Sequence, residues 1–261
     1  MMLRHLSLQA LALVAGAATA SAGVLIVGTY TGTKTPKGRT VEFRIQDGRG
    51  KISSQPGQFI YYDHGKRTAY IVDTDKGTSL EMNEARAKQM GAQLAAAQKM
   101  MEAKLKELPP DKRAMVEKMM KEQGASLSPP GGRTPLTFAK KGSGKVGAWP
   151  CDRYAASGDG RTVEVCTAEA PVLGIPAEDV AVFEGFLDLS EKMAGEAGAA
   201  GGLAADRGFT GLPLERSESR AGKVTDRFTI ETIAQETMPA ADLQVPAGLK
   251  TVVPPDPPLT R

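Results

Sequence analysis

The sequence is poor in the residues that carry most enzyme chemistry. Its 261 residues include two His, two Cys and one Trp, and aromatics make up only 5%. One of the two histidines, His5, falls in the leader described below, which leaves His64 alone in the rest of the chain. A zinc site of the H-E-x-x-H kind is thereby excluded, because it needs two His one helical turn apart. No G-x-S-x-G nucleophile elbow occurs. Gly142-Ser-Gly144-Lys-Val-Gly147 matches G-x-G-x-x-G by letter but opens no helix, so a dinucleotide site fails its context. Asp73-x-Asp75 lacks the closing Glu of a calcium loop and reads as an Asp/Gly turn. The 33 basic and 30 acidic residues nearly balance. Without a basic stripe interleaved with aromatics, nucleic acid gains no support as a partner. No cofactor, metal or catalytic residue is expected, and the chain is not expected to be an enzyme.

What is present begins with a leader. Arg4 and His5 precede an apolar run from Leu6 to Ala18, followed by Ala20-Ser21-Ala22 and Gly23. That order describes a secretory signal peptide cleaved near Ala22-Gly23. The run is too short to span a bilayer, and no second one follows, so the mature chain is expected to have no transmembrane segment. Loss of Arg4 takes the formal net charge from +3 to +2. The expected location is periplasmic or secreted. Residues 23–253 read as one domain with a helical insert at about 83–123, and 254–261 as a disordered, Pro-rich tail.

The first part of the domain reads as an antiparallel meander. Val24–Tyr30, Thr40–Ile45, Lys51–Gln55, Gln58–Tyr62, Thr68–Val72 and Thr78–Glu81 are strand-like and separated by short Gly-containing turns. The period then changes. Met90, Leu94, Met101, Leu105 and Leu108 share one helical face, with Asn83 as N-cap and Pro109-Pro110 as the stop. A second helix carries Met115, Val116, Met119 and Met120, completing an αα-hairpin. Lys104, Lys106, Lys112 and Arg113 form a basic patch around its turn, read as a solvated face. Strand character resumes at Leu136–Phe138. A third helix starts at Pro176, with Phe183 and Phe186 among its apolar residues. Leu212–Ser217 and Thr225–Thr237 are the last strands expected.

Cys151 and Cys166 bracket C-D-R-Y-A-A-S-G-D-G-R-T-V-E-V-C. Centred on Gly158-Asp159, a hairpin with a four-residue loop sets the two Cys directly opposite each other. Arg153 then faces Glu164, and Tyr154 faces Val163. In an exported chain this pair is expected to be a disulfide, and with no C-x-x-C motif its role reads as structural.

The stretches "YYDHGKRTAYIVDTDKGTSLEM", "PPDKRAMVEKMM", "WPCDRYAASGDGRTVEVC" and "ADLQVPAGLKTV" resemble an uncharacterised family of exported bacterial proteins whose fold lies near the LolA/LolB lipoprotein carriers. The resemblance spans roughly Val24 to Val253. It implies an α+β fold, a curved antiparallel half-barrel covered by helices, here with the Met-rich αα-hairpin inserted. It also implies an apolar ligand, a lipid or acyl chain, held in the concave face. Met90, Leu94, Met101, Leu105, Leu108, Met115, Met119, Phe183 and Phe186 are the candidate cavity or lid residues. Two other readings stand beside this one. The chain could be an envelope interaction module with a protein partner, or the Met cluster could bind Cu(I) through thioethers, since seven of the eleven Met lie between Met82 and Met120. Against copper, Met is also the flexible apolar filler of irregular surfaces. Reducing the Cys151–Cys166 bond is expected to cost roughly 3 kcal/mol, measured as a lower urea midpoint.

Overall fold

The structure, a computed structural model, describes residues 22–33, 35–122, 136–158, 160–194 and 208–252. The leader up to residue 21, the tail 254–261, the linker 126–133 and the Gly/Ala-rich stretch 195–205 lie outside the described residues. Twelve strands form a single sheet. They are β1 (Gly23–Gly32), β2 (Thr35–Gln46), β3 (Arg49–Gln55), β4 (Gln58–Asp63), β5 (Thr68–Asp73), β6 (Thr78–Asn83), β7 (Ala139–Val146), β8 (Trp149–Gly158), β9 (Arg161–Ala168), β10 (Leu212–Arg220), β11 (Lys223–Glu236) and β12 (Lys250–Thr251). The spatial order is β12-β6-β5-β4-β3-β2-β1-β11-β10-β9-β8-β7. The sheet is open, ending at β12 and β7, and is not a closed barrel. Every pairing is antiparallel except β12 on β6.

Two consecutive meanders, β1 to β6 and β7 to β11, meet where β1 pairs with β11. In the first meander, side-chain alternation lines up two apolar rows across six strands. One row runs Ile26, Phe43, Ile52, Ile60, Ile71, Leu80. The other runs Val24, Ile45, Gly50, Tyr62, Ala69, Met82. The second row is buried along its whole length.

What covers it is α3 (Ala177–Ala194), packed on β2, β3 and β4. Val182, Phe183 and Leu189 are its buried face. Phe183 meets Phe43 edge-on at 5.7 Å, and Phe186 meets Tyr62 at 6.1 Å. Two glycines permit the close approach. A Cβ on Gly50 would lie 3.3 Å from Val182, and one on Gly185 would lie 2.5 Å from the Tyr62 hydroxyl.

The described part of the Met-bearing helices lies mainly on α3 and not on the sheet. Asn83 does cap α1 (Glu84–Glu107), accepting the Arg86 N–H at 3.0 Å. But α1 lies on α3 and touches the sheet at β6. Among the described side chains of α1, those buried are Ala87 and Gly91 near its start, with Met90 half-buried against the core. Lys192 of α3 ties down its start through Glu84 at 3.1 Å. In α2 (Pro110–Glu122) the described side chains are exposed, apart from half-buried Arg113 and Val116. Arg113 donates to the Leu105 and Lys106 carbonyls at 2.9 and 2.8 Å, closing the end of α1. The pattern of apolar residues is the same whether a helix packs on a sheet or on another helix, so spacing alone could not decide between the two.

The Cys151–Cys166 bond is present, but the hairpin register differs from the sequence reading by two residues. Arg153 faces Cys166, Tyr154 faces Val165 and Ala155 faces Glu164, with Gly158–Arg161 as the last pair. The shorter turn extends β8 by two residues, and the disulfide links diagonal rather than opposite positions. A shift of two leaves every side chain on its expected face. Leu136 and Phe138 are buried but precede β7, which instead contains most of the G-x-G-x-x-G match.

After β11 the chain returns across the face opposite α3. The Met238 N–H donates to Gln46 Oε1 at 2.8 Å, and Leu243 of the 3-10 turn Ala240–Leu243 is buried there. Lys250 and Val252 N–H groups then bond the Gly77 and Ser79 carbonyls. The Gly185→Ala variant is expected to lose about 1–3 kcal/mol, because the added methyl must displace α3 from Tyr62. Urea unfolding checks this.

Candidate functional site

Among the described residues, Val182, Phe183 and Leu189 are buried between α3 and the sheet. A cleft of about 600 Å³ lies beside the helix. Three segments line it: α3, the β4–β5 turn, and the chain leaving β9 and entering β10. Its apolar floor includes Ala170, Phe183, Leu187 and Leu212, with Phe209 beside them. Its polar groups are His64 and Arg67 from the turn, Glu184 and Asp188 from α3, and Glu169. Asp188 is paired with Lys192 at 2.9 Å.

The β4–β5 turn has a twin in the β5–β6 turn, and both read D-x-x-K-x-T: Asp63-His-Gly-Lys-Arg-Thr68 and Asp73-Thr-Asp-Lys-Gly-Thr78. Asp63 accepts the Lys66 N–H, and Asp73 accepts that of Lys76, both at 3.0 Å. The N–H of the fifth residue donates to the carbonyl of the second, at 3.2 Å in each. That fifth residue is left-handed in both turns, Arg67 at φ 50° and Gly77 at φ 63°. Gly adopts this conformation freely, whereas a residue with a Cβ pays about 1–2 kcal/mol. Arg67 therefore holds a strained position at the cleft.

His64 lies against Tyr62, with ring centroids 6.4 Å apart. Its Nδ1 is buried without a hydrogen-bond partner, and a Cβ on Gly185 would come within 3.0 Å of it. Burial pushes the Tyr62 hydroxyl up, while nearby Arg67 pulls against that shift.

Of the residues singled out in the sequence, Phe183 lines the cleft and Phe186 packs on Tyr62. Met90 joins the core instead. Met101 and Met115 are exposed, at 39% and 67%, and Met100 at 49%. Leu105 and Leu108 are half-buried at the end of α1. Leu94 and Met119 fall within α1 and α2, but their side chains are outside the described part. None of the residues singled out on α1 and α2 is among the described residues of the cleft. Arg67 and His64 escaped the sequence reading, although setting D-H-G-K-R-T beside D-T-D-K-G-T shows Arg where the twin has Gly.

A second charged cluster sits inside the other meander. Glu218, 4% exposed, accepts from Arg220 at 3.0 Å and from Arg161 and Arg216 at 3.5 Å. Tyr30 beside it donates to Asp226 and lies under Arg39, and burial together with the Asp226 bond pushes its hydroxyl up to about 12. The sequence signal was R-S-E-S-R, charges alternating on one strand face. The cluster ties β9 to β10 within the sheet.

No family model and no curated protein sequence matches the chain. Solved structures with a similar course include an uncharacterized conserved protein from Thermus thermophilus, at 8% identity and TM-score 0.41, covering 89% of this chain and 90% of that one. PNGF-II matches at 8% identity and TM-score 0.39 over 89% of this chain and 32% of its own. The MucA/MucB complex of Pseudomonas aeruginosa matches at 16% identity and TM-score 0.39 over 92% and 62%. The chain thus spans about a third of PNGF-II and less than two thirds of the chain matched in the MucA/MucB complex. At such scores none of them bears on what this chain does.

Asp179, in the first turn of α3, is 3% exposed. Burial, helped by Glu178 and Asp47, pushes its carboxyl up to about 6 from 3.8. The folded state then binds this proton more tightly than the unfolded state, so stability falls as pH rises from about 4 to about 6 and stays lower above that. Asp179→Asn is expected to be more stable than the parent at pH 7 by about 3 kcal/mol and equal to it at about pH 3. Urea unfolding at the two pH values tests this.

Proposed function

We propose that this chain is an exported, non-enzymatic binding protein that holds an apolar or amphiphilic ligand, a lipid or acyl chain, in the cleft beside α3. The observation that carries this reading is the cleft itself. Its volume falls within the usual range for small-molecule sites, its floor is apolar, and its polar groups gather on the flanking turn and helix. This cleft lies beside α3, which forms one of its walls, and not on the sheet face that α3 covers. The disulfide supports export, because such bonds persist in oxidising compartments. The geometry of His64 supports a non-catalytic role, for its buried Nδ1 lacks the acceptor that orients a catalytic imidazole.

A second reading is favoured by the exposed Met100, Met101 and Met115. Flexible apolar side chains on a projecting helix suit contact with an envelope protein. Proximity labelling from α2 that returned no reproducible partner would remove it.

For the first reading, organic extraction of the purified protein is expected to release lipid, and a fluorescent fatty acid is expected to saturate at one site. Leu187→Glu, which places a charge on the floor, is expected to weaken uptake by about tenfold or more. Absence of both lipid and uptake in the parent protein would sink the reading.

A further inference from the structure

We propose that the cleft selects a zwitterionic headgroup, with Arg67 and His64 taking its phosphate and Glu184 taking its ammonium. This rests on the cleft being an amphiphile site, as proposed above, and goes on to name the chemistry of the ligand's polar end.

Three observations converge on that headgroup. The first is the misfit of Arg67. Its twin turn makes the same backbone bonds with Gly77 at the same left-handed position. The turn therefore needs no side chain there, and Gly suits it better. Yet the position carries a guanidinium at the cleft, with no ion pair among the described residues. Strain kept where the fold does not need it points to a ligand.

The second observation concerns His64. Its Nδ1 is shut in against Gly185 with no partner. A buried N–H without an acceptor costs more than a buried lone pair, so the neutral ring keeps its proton on Nε2. His64 then offers the cleft a donor, as Arg67 does. Two neighbouring donors of this kind suit phosphate oxygens.

The third is the opposite wall. Glu184 and Asp188 stand one turn apart on α3 and line the same cleft. Asp188 is matched by Lys192 at 2.9 Å, whereas Glu184 has no ion pair among the described residues. A purely anionic head would meet Glu184 as a like charge, and a purely cationic head would meet Arg67. A head with both charges finds an opposite on each wall, while its chain continues over Phe183, Leu187 and Leu212.

The test uses the full chain and three monoacyl lipids with the same acyl group, each below its micelle concentration. These are lysophosphatidylethanolamine (zwitterionic), lysophosphatidylglycerol (anionic) and monoacylglycerol (neutral), measured by titration calorimetry. The zwitterion is expected to bind about tenfold tighter than either of the others. Arg67→Gly should remove that advantage while Tm stays level or rises, since Gly relieves the left-handed strain. A variant that had simply unfolded would show a lower Tm instead. Glu184→Gln should erase the preference for the zwitterion over the anion. The assignment is overturned if the neutral or anionic lipid binds as tightly as the zwitterion. It is also overturned if Arg67→Gly keeps zwitterion affinity within about twofold. In either case the cleft would remain an amphiphile site. Binding of none of the three lipids overturns the cleft reading along with it.

Discussion

The seating of α3 on the row Val24, Ile45, Gly50, Tyr62, Ala69, Met82 is the contact on which the remaining architecture depends. A helix that approaches a sheet this closely needs places without a Cβ, and the chain supplies one on each partner, Gly50 and Gly185. Once α3 is fixed, its outer surface becomes the platform for α1, held at Glu84 by Lys192. Its flank becomes a wall of the cleft. Tyr62 joins the two roles, lying under Gly185 and Phe186 while its neighbour His64 opens toward the cleft.

The first meander was legible because its strands alternate and its turns, Arg67 apart, carry residues suited to their backbone. Asp47-Gly48 is an example, with both residues left-handed. α3 was legible from its apolar spacing and from Pro176 at its start. The hairpin register was less so. Taking two residues from the β8 side of the turn keeps Tyr154 and Cys166 on their faces, so hydrophobic alternation cannot detect the shift. β12 was also missed, because Lys250–Thr251 is held by backbone bonds to β6 and leaves no side-chain pattern. For the candidate site, Phe183 and Phe186 were read as cavity or lid residues; Phe183 lines the cleft and packs on Phe43, and Phe186 packs on Tyr62. The groups that give the cleft its charge lie far apart in sequence and come together only when the β4–β5 turn meets the helix.

The two meanders solve the interior differently. Beneath α3 the sheet face is nearly all apolar. Across the seam, β9 and β10 bury Arg161, Arg216 and Glu218 beside the apolar Val163 and Val165. A buried ion cluster adds little net stability over well-packed apolar residues, yet it is costly to break. Its geometric demands make it a specifier of register rather than a source of binding energy, and it sits where the two local units must be matched.

That matching occurs at the β1–β11 seam, where Tyr30 bonds Asp226 across 196 residues of chain. All other antiparallel pairings join strands that follow one another along the chain, although the β9–β10 connection spans the intervening α3. The N-terminal meander can therefore form early from short loops, but its β1 edge stays unpaired until β11 has been delivered. Closing so long a loop is a late, slow step governed by chain topology. Until it closes, β1 presents the open strand edge most exposed to pairing with another chain. The molecule's vulnerable period is thus set by the order in which its strands reach the folding compartment, more than by the strength of any contact in the finished fold.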